Sequence, residues 1–517
     1  MLRNIKSLHF LVAILVAVFT TGWMRVHLIP WGPEPDGAHY TFLSQYIYYL
    51  LSTGQSISEL PLSLYSTLTA WVYALDINQF MALSWIDLCM AVIASILFFS
   101  VIKKESTSLS FTFIVLTASL LIMNHQSVIF VGFNNSIWAA YVPFFSALLI
   151  SQNLKQDSNY GFYFIGALAS FGVLLREPLL SFYIVGTVAI FFAFGWRPLL
   201  KYLIGSAILG FSTIILLRGW DLFGLLDAYA YVGKIISDYG SWMPQNFSVD
   251  GLFMMKQFWF GLILFFSLTA YLLKIHLSGK DQINLGRCLF WLAIALVPII
   301  EAWNKWAEPY HFAQCIPGLI GFSALGWKYL SLNESKKIRQ YSIIAIYLVC
   351  LVGVQPQLNL LYANFKDERT LANAYNQLWT FPWRQNEVIR GSNYLISAET
   401  IRHISNEDST LSTSGFGTAL YPLSGLLPPI YKFHDLRSLY SSLDYDEDKL
   451  IAMIREHQPT IIMPTNHSIP RIKELTKIIQ RTGLYEKVAY VANDTRVAYS
   501  LISGNIYRLK SFVKKDN

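Results

Sequence analysis

The chain has 517 residues and a formal net charge of +7; 54% of it is hydrophobic and only 14% charged. Soluble domains carry about 25% charged residues, so most of this chain is built for lipid, as its mean hydropathy of +0.41 also indicates. The basic residues lie scattered in short loops rather than in an arm, which argues against a nucleic-acid partner, and the four cysteines sit in or beside apolar segments, which argues against structural disulfides and Cys/His metal sites.

A bilayer span takes about 20 apolar residues. In chain order, spans are predicted at 8–24, 80–102, 108–124, 133–150, 161–175, 178–195, 199–217, 257–274, 286–301, 311–330 and 341–356. The first follows Arg3 and Lys6 without a small-residue cleavage site, so it reads as an uncleaved span rather than a signal peptide. Segments 161–175 and 178–195 nearly touch and are candidates for a kinked pair around Arg176-Glu177-Pro178. The apolar runs stop at Gln355. The predicted fold class is a multi-span α-helical membrane protein of about eleven transmembrane helices with a C-terminal extracytoplasmic α/β domain. Residues 1–356 form the membrane domain, with an outer first loop at 25–79; 357–389 is a linker or interfacial segment, and 390–517 the soluble domain.

With the N-terminus in the cytoplasm, Lys103, Lys104, Arg197, Lys201, Arg287, Lys336 and Lys337 fall in inner loops, and the outer loops hold fewer cations. That is the positive-inside bias, and an odd number of spans then places the C-terminal region outside, in the compartment of the first loop. Within that loop, Ala38 to Leu50 is Tyr-rich and free of Pro. Leu64, Leu68, Trp71, Val72 and Leu75 follow at the spacing of an amphipathic helix suited to the membrane interface. Near the C-terminus, strands are predicted at 410–415, 460–464 and 487–491 and within 497–508, and helices at 448–456 and 469–482. Gly415-Phe416-Gly417 lacks the third glycine of a dinucleotide fingerprint.

The residues able to carry chemistry cluster in the outer segments. Glu34 and Asp36 stand in Pro33-Glu34-Pro35-Asp36-Gly37. Alternating prolines favour extended backbone, on which residues two apart point the same way. Asp36 is then either a general base for an acceptor hydroxyl or the N-cap of a helix starting near Ala38, and a cap can also be a base. Arg176 and Glu177 sit between apolar runs; Arg176 is either a phosphate fork or half of a local interfacial pair. The segment 301–311 offers Lys305 and His311 as phosphate partners, with Tyr310, Trp303 and Trp306 as stacking surfaces or as an interfacial aromatic belt. Asp87 lies inside the second span, either lining a wet cavity or bonded to a neighbouring helix. His125, Asn134 and Asn135 are weaker candidates, and 229–239 forms a longer outer loop able to cover a site.

Taken together, the chain resembles the GT-C superfamily of integral-membrane glycosyltransferases, closest in layout to the bacterial aminoarabinose transferases and protein mannosyltransferases. The resemblance rests on Glu34-Pro35-Asp36-Gly37-Ala38-His39-Tyr40 in the first outer loop and on Leu174-Leu175-Arg176-Glu177-Pro178. It also rests on Tyr310-His311 with Pro317 opening a late span, and on Ser414 to Tyr421 near the C-terminus. It departs from the family where Pro35 separates the two acidic residues, and where Tyr310-His311 replaces an arginine-tyrosine pair. The resemblance implies an inverting transferase in a bacterial inner membrane, using a polyprenyl-phosphate-linked sugar and a glycan, lipid or protein acceptor on the outer face. Asp36, with Glu34, would be the base; Arg176, Lys305 or His311 would hold the phosphate, and Tyr40, Tyr310 and Asp87 would line the substrate site. No cofactor is expected, although relatives that use pyrophosphate donors need a divalent metal, for which Glu34 and Asp36 would be the ligands. The competing readings are a lipid-linked oligosaccharide polymerase or ligase and a lipid-sugar transporter; the sequence shows no pair of related halves of the kind many transporters have.

Overall fold

The computed structural model describes most of residues 35–123, 135–154, 160–219, 259–278, 284–303, 314–354, 392–465, 471–491 and 503–512, with helical positions between 11 and 22 and between 223 and 234. The chain forms two compact units. The first is drawn from 1–28, 85–215 and 244–374; the second combines 29–84, 216–243 and 375–517.

Helices occupy every predicted span from the second onward. They are α3 (Gln79–Ser106), α4 (Leu109–Met123), α5 (Asn135–Ser151), α6 (Gly161–Leu175), α7 (Leu180–Phe194), α8 (Trp196–Arg218), α9 (Trp259–Ser278), α10 (Leu285–Trp303), α11 (Ile316–Asn333) and α12 (Lys336–Gly353). Among the described residues, Trp85–Ser106, Trp196–Leu217 and Gly261–Ser278 are long and apolar enough to cross a membrane on their own, and shorter apolar helices accompany them. The pair around Arg176 is two separate helices rather than one kinked helix. α6 ends at Leu175, Arg176 turns to extended backbone (φ −154°, ψ 112°), and α7 starts at Leu180. The sequence accounts for a break here, because Pro178 has no backbone N–H with which to continue α6.

Close helix packing in this unit relies on glycine. A Cβ at Gly321 of α11 would overlap the Trp291 ring of α10. Gly166 of α6 and Gly205 of α8 lie against each other's helix backbone, and Ser206 donates to the Gly166 carbonyl at 2.8 Å. Small residues let apolar helices approach where no hydrophobic drive separates protein from lipid.

The second unit is built around a four-stranded sheet of order β1-β2-β4-β3: β1 (Leu411–Thr413), β2 (Ile461–Met463), β3 (Tyr485–Val491) and β4 (Gly504–Leu509). β1 and β2 are parallel, and β4 runs antiparallel to both β2 and β3. Alternation along the strands sends side chains to two faces. Ile462, Tyr485 and Tyr507 enter one core with α15 (Leu436–Ser442), α16 (Glu447–His457) and α17 (Ile472–Arg481). Leu411, Ile461, Met463 and Ile506 enter the other, which is closed by α13 (Ser392–Ile404), α14 (Leu420–Ser424) and a helix from far upstream, α1 (Pro35–Ser52).

That upstream helix buries Phe42, Leu43, Tyr46, Ile47 and Leu50, one face at helical spacing, in the core of the C-terminal sheet. The first-loop helix and the sheet therefore share one compartment. The following amphipathic segment is shorter than its spacing predicts. α2 (Leu64–Thr69), capped by Ser63, passes into a 3₁₀ turn at Ala70–Ala74. Leu64 and Val72 are buried, Leu68 on α2 is exposed, and the tighter period after Ala70 leaves Trp71 and Leu75 exposed as well.

Candidate functional site

The candidate residues divide between the two units. In the second, α1 begins at Pro35, a residue preformed for a first helical turn. Asp36 is thus helical, so the extended geometry expected to align it with Glu34 does not hold at Asp36, and it lies inside the first turn rather than at the cap of a helix starting at Ala38. An acidic residue there is favoured by the positive end of the helix dipole. Glu34 lies outside the described residues.

One turn on, His39 and Tyr40 stand at i+3 and i+4 from Asp36, the spacing that shares a helix face. The Tyr40 ring meets Tyr65 edge-on at 5.9 Å, and its carbonyl accepts from Ser44 Oγ at 2.8 Å and Ser66 Oγ at 3.2 Å. The His39 ring lies 5.7 Å from that of His434, in the 3₁₀ turn Tyr431–His434. Phe42 stacks on His434 at 5.3 Å and packs on Tyr421 at 4.6 Å. His434 Nδ1 is 2.7 Å from the Tyr431 carbonyl, and Tyr421 donates from its hydroxyl to the His434 carbonyl at 3.0 Å. Burial, reinforced by the mutual repulsion that would arise with His434, pushes the His39 imidazole down to about 3. Burial also lowers His434, against the opposing pull of Asp435 and of its bond to Tyr431. Both rings are therefore neutral at pH 7. The helical positions near 229 belong to this unit too: Tyr231 enters its core, and Lys234 pairs with Asp444 at 3.2 Å.

In the first unit, Arg176 is the C-cap of α6 and only 8% exposed. Its N–H donates to the Gly172 carbonyl at 3.0 Å, and a cation is favoured at a helix C-terminus. Tyr141 of α5 interacts electrostatically with both Arg176 and Cys315. Tyr141 is buried, and its hydroxyl has no hydrogen-bond partner among the described residues. A hydroxyl beside a buried guanidinium adds a donor suited to an anionic oxygen. Asp87 is fully buried in α3. Lys305, Tyr310 and His311 lie outside the described residues, as do His125 and Asn134.

Sequence reasoning missed Tyr141 and His434. Tyr141 sits in an apolar run and reads as packing. His434-Asp435 is a visible polar pair, but its meeting with α1 is a matter of tertiary structure.

Among solved structures, the chain is similar to ArnT from Cupriavidus metallidurans bound to undecaprenyl phosphate, at 10% sequence identity and a TM-score of 0.50, over 99% of each chain. The likeness is one of fold and runs the length of both chains. No family model matches the chain, and no curated protein matches it.

Proposed function

We propose that the protein is an inverting glycosyltransferase that moves a sugar from a polyprenyl-phosphate donor to an acceptor at the outer face of a bacterial inner membrane. The observation that carries this reading is the full-length likeness to ArnT, a protein solved with undecaprenyl phosphate. Asp36, in the first turn of α1, takes the proton of the acceptor hydroxyl. The hydroxyl oxygen bonds to the anomeric carbon as the carbon–oxygen bond to phosphate breaks, and the configuration inverts. The phosphate departs with the electron pair, and Arg176, beside Tyr141, neutralises it. Lys305 and His311 add to the phosphate grip, while Tyr40, Tyr310 and Asp87 contact substrate. With a guanidinium on the leaving phosphate the step itself requires no metal; a pyrophosphate donor would call on Glu34 and Asp36 as ligands of a divalent ion.

The test compares lipid-linked sugars and surface glycans, by mass spectrometry, in membranes with the protein, without it, and with Asp36→Asn. The expected result is a polyprenyl-phosphate sugar that accumulates in both the deletion and the variant, with one sugar missing from a glycan. An unchanged inventory favours transport, loss of a whole glycan chain favours a polymerase or ligase, and a fully active Asp36→Asn protein removes the assigned base.

A further inference from the structure

The first unit holds a cavity of about 580 Å³ whose polar corner is not among the residues assigned to the transfer chemistry. It runs along α5, α6, α7 and the start of α10, from Glu105 and Arg287 at one end to Gly172 and Leu179 at the other, and neither Arg176 nor Asp87 lines it. Most of its wall is apolar, with Phe144, Phe182, Ile190 and Trp291 among the lining. One corner is polar and joins three helix ends. Glu105, in the last turn of α3, has its side chain only 4% exposed. Its Oε1 accepts from Gln152 Nε2 at 2.8 Å. Its Oε2 lies 3.7 Å from an Arg287 guanidinium nitrogen, beyond hydrogen-bond reach, and the Arg287 side chain is 39% exposed.

Two buried acceptors at this corner have no hydrogen-bond partner among the described residues: Glu105 Oε2 and Gln152 Oε1. The orientation of the Gln152 amide follows from its partners, because its nitrogen donates to Glu105 and, at 3.4 Å, to the Val101 carbonyl. Buried acceptors without donors are costly, and most such groups in proteins are satisfied. Two acceptors at the corner thus await donors beside an accessible cation, Arg287, while the rest of the cavity takes hydrocarbon.

We infer that this cavity binds one aminophospholipid of the phosphatidylethanolamine type. Its ammonium donates to Glu105 and Gln152, its phosphate pairs with Arg287, and one acyl chain occupies the apolar slot. A choline headgroup has no N–H to offer. A glycerol headgroup has hydroxyl donors but no positive charge for Glu105. The alternative, in which Glu105, Gln152 and Arg287 merely clasp three helix ends, predicts no preference among lipids. The inference rests on the first unit alone, and its polar corner shares no residue with the proposed transfer site.

The test is native mass spectrometry of the full-length protein in detergent, exposed to ethanolamine, choline and glycerol phospholipids of matched acyl chains. One ethanolamine lipid per chain is expected to be retained over the choline lipid on the order of tenfold, the worth of one charge-assisted hydrogen bond. Glu105→Gln should bring that ratio close to one. Ala189→Phe, which fills the apolar slot away from the polar corner, should lower retention of all three lipids. Equal retention of the three by the wild-type protein, retention of none, or a preference that survives both variants would overturn the inference. The wild-type comparison decides by itself should a variant fail to fold.

Discussion

Acidification should loosen the grip between α1 and the C-terminal sheet, and the size of the effect follows from two imidazoles. His39 and His434 are both held neutral by burial, His39 down to about 3 from an ordinary value of 6.5. Below pH 6.5 the unfolded chain binds protons that the folded chain refuses, so stability falls as the pH drops. The contribution is fully present above 6.5 and is lost progressively down to about 3 for His39. One unit below the ordinary value, a histidine that stays neutral in the fold costs about 1.4 kcal/mol. His434, lowered by burial against the pull of Asp435, adds to this in the same direction. Taking up both protons in the fold offers no escape: two charges 5.7 Å apart repel by about 3 kcal/mol at an effective dielectric of 20. The nearby Asp435 offsets part of this at His434. The assay is thermal or denaturant unfolding of the full-length protein, followed by tryptophan fluorescence between pH 7.5 and 5, with a His39→Gln, His434→Gln double variant as reference. A midpoint that falls with pH in the native protein and much less in the double variant is expected. A flat profile, or an equal fall in both proteins, would refute the reasoning.

Two further substitutions probe the first unit. Arg176→Ala should raise KM for a polyprenyl-phosphate sugar on the order of tenfold or more, and Arg176→Lys should recover part of that because it keeps the charge without the fork. Steady-state kinetics beside an unfolding midpoint separates lost phosphate binding from lost structure, and an unchanged KM with a lowered midpoint would make Arg176 purely structural. Gly321→Ala should destabilise the α10–α11 pair by about 1–3 kcal/mol, because its methyl group would overlap Trp291; an unchanged unfolding midpoint would show that these helices do not pack this closely.

Much of the fold was legible because its signals are local. Apolar runs mark helices in lipid regardless of partners, which is why α3 to α12 fall where hydropathy predicts them. Ile461-Ile462-Met463, bounded by turn residues, reads as a short buried strand and is one. Local signals mislead where two geometries compete. Proline alternation suggests extended chain at Asp36, yet Pro35 is equally suited to open a helix, and the apolar face of α1 that follows settles the choice. The same holds at Leu64 to Leu75, where a periodic stripe predicts one helix and the chain changes to 3₁₀ at Ala70. What sequence spacing cannot express is that a sheet face formed after residue 410 is covered by a helix that starts at residue 35.

That long-range closure bears directly on the proposed chemistry. A general base works only if its distance and angle to the reacting hydroxyl are fixed, and elements locked by packing fix them better than loops do. Asp36 would be a poor base on a free interfacial loop. Instead it stands in the first turn of α1, and the next turn is fixed by the stacking of Phe42 on His434 and its packing on Tyr421. Tyr73 adds a bond from its hydroxyl to the Thr41 carbonyl at 3.0 Å, and Ser44 meets Thr69 at 2.9 Å. The C-terminal sheet therefore does more than append a soluble piece to a membrane protein. It supplies the rigid surface on which the helix carrying the proposed base is mounted, so changes at His434 or Tyr421 act on that base through the position of α1.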